Sequence, residues 1–223
     1  AQGAAQVLAG DEARGALGGL WLAIAAAMAF ALTASLGGDA TRRWWAVALL
    51  ASLPLSMALV GGMQTELPAM AWLPALVWLA LRTNAHPASP TGWRGLLAVA
   101  VLFGALCGLK TMHGVVALPV LVWAAWRHRQ GICWRWLPVA LLLAVAIGGS
   151  SYTHAWLVTG NPVLPLLNSW FGSPFFPLRD FGDARWHGGL DADVLWDLSF
   201  DTGHYLESYD GGFGFVLIAL LGV

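Results

Sequence analysis

The chain has 223 residues, 58% of them apolar and only 10% charged, with 14 Trp and a mean hydropathy of +0.67. That composition excludes an ordinary soluble domain, because there are too few polar side chains to cover a water-facing surface. A net charge of −1 says little, and the two cysteines, Cys107 inside an apolar run and Cys133 beside arginines, suggest neither a disulfide framework nor a zinc cluster.

In chain order, six apolar runs predict helices: Gly15 to Leu36, Trp44 to Gly62, Leu67 to Leu81, Leu96 to Leu109, Val115 to Trp126 and Leu137 to Gly149. A helix crossing about 30 Å of hydrocarbon needs about 20 residues. Four of the runs are shorter than that and need tilt, bilayer thinning or flanking Trp to span. Ahead of the first run, Gly10-Asp11-Glu12-Ala13-Arg14 reads as a charged turn. At Ser151 the pattern opens into a polar, aromatic and acidic segment that runs to Gly212. A seventh apolar run then begins and stops after 11 residues at Val223.

The expected fold is all-α, a polytopic transmembrane helix bundle. Six helices occupy residues 1–150, a large extracytoplasmic loop of short interfacial helices occupies 151–212, and 213–223 starts a further transmembrane helix. Pro162, Pro165, Pro174 and Pro177 rule out a long helix in the loop. A first residue other than Met and an incomplete last run lead to the expectation that the chain is the middle of a longer protein.

The basic residues orient this bundle. With the Gly37 to Arg43 connection on the cytoplasmic side, alternation puts Arg42, Arg43, Arg82, Arg94, Arg127, Arg129 and Arg135 there, seven of the eleven Lys and Arg residues. Glu66, Lys110, His113 and the long loop then face outside, and that loop carries eight acids against Arg179 and Arg185.

Three external elements hold the candidate functional residues. The turn Gly61 to Pro68 presents Glu66 near the membrane surface, although Glu66 beside Pro68 is equally an ordinary helix start. Gly104 and Gly108 form a small-residue face, and Lys110 follows them on the face where positive charge is disfavoured. Lys110 either snorkels to headgroups or binds an anionic group, with His113 three residues on able to join it. The loop opens with Gly160-Asn161-Pro162, a turn signal, and goes on through an aromatic stretch to Arg179, Asp180, Asp183, Arg185, His187, Asp191 and Asp193.

These elements, a Gly-Leu-Lys at the external end of one span, a basic turn, one further span and then Thr-Gly-Asn-Pro-Val-x-Pro-x-x-Asn before an aromatic loop, resemble bacterial integral-membrane glycosyltransferases of the GT-C architecture, in particular cell-envelope members of that superfamily. The resemblance covers Arg42 to Gly212. It implies residence in the bacterial cytoplasmic (inner) membrane and transfer of a sugar from a polyprenyl-phosphate donor to a lipid or glycan acceptor on the extracytoplasmic face. Such a transfer needs a carboxylate to deprotonate the acceptor and cations to stabilise the departing phosphate. Glu66, Asp180 and Asp183 are the candidate acids; Lys110, His113, Arg179, Arg185 and His187 are the candidate substrate-binding residues. In this superfamily the catalytic acid lies in the first external loop, which is expected upstream of Ala1.

Asp191-Ala192-Asp193, or Asp180 and Asp183 with His187, could present ligands to a divalent cation, but neither spacing is specific, and no resident metal is assigned. Membrane lipids are expected partners and nucleic acid is not. Two other classes remain open. A noncatalytic membrane scaffold would use the aromatic loop to bind a partner. A transporter or flippase would break its helices at Pro54, Pro119 or Pro138, none of which has a charged partner in sequence.

Overall fold

The computed structural model describes residues 2–62, 64–82, 92–182, 192–204, 210–214 and 216; it is helical, with no strand among them. It divides into two compact units, Ala1–Pro68 with Gly182–Val223, and Ala69–Phe181.

The first unit contains α1 (Gln2–Ser35), α2 (Ala40–Ser52) and α3 (Pro54–Val60). Gly10 to Arg14, read from sequence as a turn, is helical and continuous with α1. Asp39 caps α2, its carboxylate accepting the Arg42 backbone N–H at 2.8 Å. The run from Trp44 to Gly62 is a bent pair rather than one helix, the axes turning by 66°. Pro54 is the cause. Its ring pushes Leu53 into an extended conformation (φ −64°, ψ 116°) and then suits the first turn of α3. The next N–H, that of Leu55, donates to the Gly212 carbonyl at 2.9 Å, so the chain near residue 212 satisfies a donor that the break exposes. Gly212 is held in turn by donating its N–H to Thr202 Oγ1. Thr202 ends the short helix α9 (Val194–Phe200) by donating to Leu198 O.

The second unit is built on α4 (Glu66–Leu81), α5 (Trp93–Leu109), α6 (Thr111–His128) and α7 (Leu137–Thr159), α4 entering it at Ala69. Leu76, Leu106 and Ala117 are its buried centre, with Trp72, Leu102, Phe103 and Val120 packed around them. Helices α5 and α7 touch backbone to backbone at two glycines. A Cβ on Gly104 would lie 2.6 Å from the Ala144 carbonyl oxygen, and one on Gly148 would strike the Gly104 carbonyl. Where surrounding lipid is as apolar as the side chains, such close packing is what holds helices together.

Each of the six apolar runs lies on helix, because apolar continuity is what the core and a lipid exterior both require. Among the described residues two helical stretches, Gly15–Ser35 and Trp134–Thr159, are long and apolar enough to cross a membrane, or three with the bent pair counted as one span. In each of the two, 11% of the most apolar stretch is buried by the chain itself. Such apolar and uncovered helices suit a lipid environment.

Ser151 does not open the loop. Helix α7 continues for two more turns to Thr159 and ends where Gly160 adopts the left-handed conformation (φ 74°), its N–H donating to Trp156 O at 2.8 Å. The loop therefore starts at Gly160, and α8 (Asn168–Phe171) and α9 are its short helices among the described residues.

Candidate functional site at the Lys110 end

The two ends of the second unit are identified by contacts between helix termini. His128 Nε2 donates to the Ala80 carbonyl at 2.9 Å, joining the last turns of α4 and α6, and the Trp93 and Trp136 rings stack at 5.5 Å, joining the starts of α5 and α7. Arg82, Arg94, Arg127, Arg129 and Arg135 all fall at this end. Helix α5, 17 residues or about 25 Å long, leads from it to Lys110 at the other.

Lys110 is the single extended residue between α5 and α6 (φ −165°, ψ 137°) and is exposed. His113 is thus not on a continuation of Lys110's own helix; it lies in the first turn of the next one, its backbone N–H donating to Lys110 O at 3.0 Å. Tyr152 pins this sharp joint. Its hydroxyl donates to Cys107 O at 2.8 Å and so receives the Thr111 hydroxyl, 3.1 Å away, which ties the end of α5 and the start of α6 to α7. Lys110 and Thr111, Ser151 and Tyr152 of α7, and Pro162 to Leu166 line a cavity of about 280 Å³. The site is thus a concavity with an ammonium group, three hydroxyls and a proline-rich wall.

That wall is held by two asparagines, each fully buried. Asn161 donates from Nδ2 to Leu166 O at 2.9 Å and to Asn168 Oδ1 at 3.2 Å, while its Oδ1 accepts the Val163 N–H at 2.9 Å. Asn168 Nδ2 reaches the carbonyls of Ser173, Phe176 and Pro177 at 3.0–3.1 Å, and its Oδ1 accepts the Ser173 N–H. Two side-chain amides thereby supply hydrogen bonds that the irregular backbone from 161 to 177 cannot make with itself. The spacing Asn-Pro then Pro-x-x-Asn is the sequence trace of this network, but it does not tell what each amide binds.

The other candidates are placed as follows. Arg179 and Asp180 are exposed on the same loop, and neither is in the cavity lining. Asp180 Oδ1 accepts both the backbone N–H and the hydroxyl of Ser169, at 3.0 and 2.8 Å, which gives it a structural use at the start of α8. Glu66, half-buried, opens α4 as a first-turn acid in the residues assigned to the first unit, so it and the Lys110 cavity belong to separately described bodies. Asp183, Arg185, His187 and Asp191 lie outside the described residues. Among the described residues no group of three His, Cys, Asp or Glu side chains is arranged to hold a metal ion. Cys107 and Cys133 are not joined in a disulfide.

No protein-family model, curated protein or solved structure matches this chain.

Proposed function

We propose that the chain belongs to a polytopic glycosyltransferase of the bacterial cytoplasmic membrane, and that its Lys110 cavity receives the phosphate of a polyprenyl-phosphate-linked sugar on the extracytoplasmic face. One observation carries this reading: a lysine held by a pinned joint at the mouth of a hydroxyl-lined cavity, at the end of the unit opposite its five clustered arginines. A phosphate there accepts a charge-assisted bond from Nζ, an interaction that strengthens as negative charge develops on a leaving group, while the Tyr152 and Thr111 hydroxyl protons stay committed to the joint that holds the lysine. The reading also calls for a carboxylate base for the hydroxyl of a lipid or glycan acceptor, and none lines the cavity among the described residues. The test is Lys110→Gln in a membrane glycosyl-transfer assay. Loss of one charged hydrogen bond corresponds to about ten- to a hundred-fold weaker donor use, with helix content unchanged. Equal donor use by the variant and the unmodified protein would remove this reading.

A second reading, a noncatalytic membrane scaffold, is favoured by one feature, the outward face of the loop, where Trp170, Phe175 and Leu178 are 83%, 67% and 76% exposed. It expects Lys110→Gln to be neutral and Trp170→Ala to release a partner.

A further inference from the structure

The arginine end of the second unit is built differently from a set of solvated charges. Each of four arginines lies over a tryptophan ring close by in sequence: Arg82 on Trp78 at 3.5 Å, Arg94 on Trp93 at 5.2 Å, and Arg127 on Trp123 and Arg129 on Trp126 both at 5.7 Å. The pairs come from the ends of α4 and α6, which His128 joins, and from the start of α5. In Arg127 and Arg129 stacking leaves the guanidinium edge accessible to an anion, Arg129 spending one of its N–H donors on Trp126 O at 3.1 Å, and a tryptophan is the side chain that settles at the boundary between hydrocarbon and water. Directly on the membrane-ward side of these rings the surface is apolar and open, with Val122 67% and Leu142 70% exposed.

Arg127, His128, Arg129, Gln130 and Gly131 line a recess of about 180 Å³ at this boundary. At its floor His128 is 7% exposed and bonded to Ala80 O. The sequence from 69 to 181 contains one acid, Asp180, and it lies in the loop that follows α7, past the Lys110 end of that helix. The unit therefore offers an incoming anion net positive charge at the recess.

We infer that this end is a docking surface for anionic glycerophospholipid, with one headgroup phosphate seated in the Arg127–Arg129 recess and the acyl chains along the exposed faces of α6 and α7. A membrane lipid is the occupant, rather than a soluble anion, because the arginines stand on an interfacial ring of tryptophans that borders bare apolar helix. The inference does not depend on glycosyl transfer.

The experiment uses the whole chain in detergent and in nanodiscs, with native mass spectrometry counting bound phosphatidylglycerol against phosphatidylcholine. The unmodified protein should retain phosphatidylglycerol preferentially, and Arg127→Gln with Arg129→Gln should weaken that retention about twenty-fold, as expected for two interfacial cationic charges. Equal retention of the two lipids, or retention by the double variant indistinguishable from the unmodified protein, would overturn the inference. Displacement of the lipid by millimolar inorganic phosphate would also overturn it, in favour of a soluble-anion site. Should the double variant fail to fold, the two-lipid and phosphate comparisons on the unmodified protein decide the matter alone.

Discussion

The two ends of the second unit are made from the same helices but by opposite means. At the Lys110 end one exposed cation stands beside a cavity whose walls are fixed by side-chain hydrogen bonds from Tyr152, Asn161 and Asn168. At the other, four of five arginines lie over tryptophan rings, and one buried hydrogen bond from His128 joins two helix ends. The first end has its larger concavity walled by a hydrogen-bonded loop, whereas the second spreads cations over aromatic rings around a smaller recess. The contrast teaches that charge count is a poor guide to where a cavity is built, since the end with one lysine has the larger one.

Asn168→Ala should break this contrast most severely. It removes a buried amide that reaches three carbonyls and receives two N–H groups, leaving buried backbone groups unsatisfied at about 1–3 kcal/mol each. The cavity wall should open, giving fast hydrogen exchange and proteolysis between 160 and 181 while α4 to α6 stay protected. Uniform loss of protection across the unit would show instead that the loop and the helices fold as one.

His128→Leu should act at the opposite end and more weakly. The Ala80 carbonyl loses its partner at a cost of about 1–3 kcal/mol, but leucine fills part of the space. Lower thermal stability with the loop's exchange pattern unchanged is the expected outcome. Altered exchange at 160 to 177 would mean that the two ends are coupled and the contrast is false.

Much of the helical layout was legible from hydropathy alone, because a helix surrounded by apolar neighbours needs an unbroken apolar run. The errors have local causes. Ser150, Ser151, Tyr152 and Thr153 look like the beginning of a loop by polarity, yet they continue α7, since nothing stops a helix until a residue such as Gly160 takes the left-handed conformation. Tyr152 is polar there because its hydroxyl reaches back to α5 and α6. Pro54 was visible, but its neighbours could not tell whether it would open a helix or bend one; the structure has it do both. For the site, a lone lysine on the face where positive charge is rare was enough to single out Lys110. The long-range partners that shape its cavity were not readable, because Asn161 and Asn168 act through backbone carbonyls, which carry no residue identity. Asp180 drew attention as a loop acid, and its bond to Ser169 supplies the simpler account.

The central claim, that the Lys110 end and the arginine end face opposite sides of a membrane, is tested most directly by cysteine accessibility in sealed vesicles of known orientation. With Cys107→Ala, Cys133 reports the arginine end, and a second variant carrying Cys133→Ser and Trp170→Cys reports the loop beside the Lys110 end. A membrane-impermeant maleimide should label Trp170→Cys from the extracytoplasmic side and Cys133 only from the cytoplasmic side. Labelling of both from the same side would contradict the account.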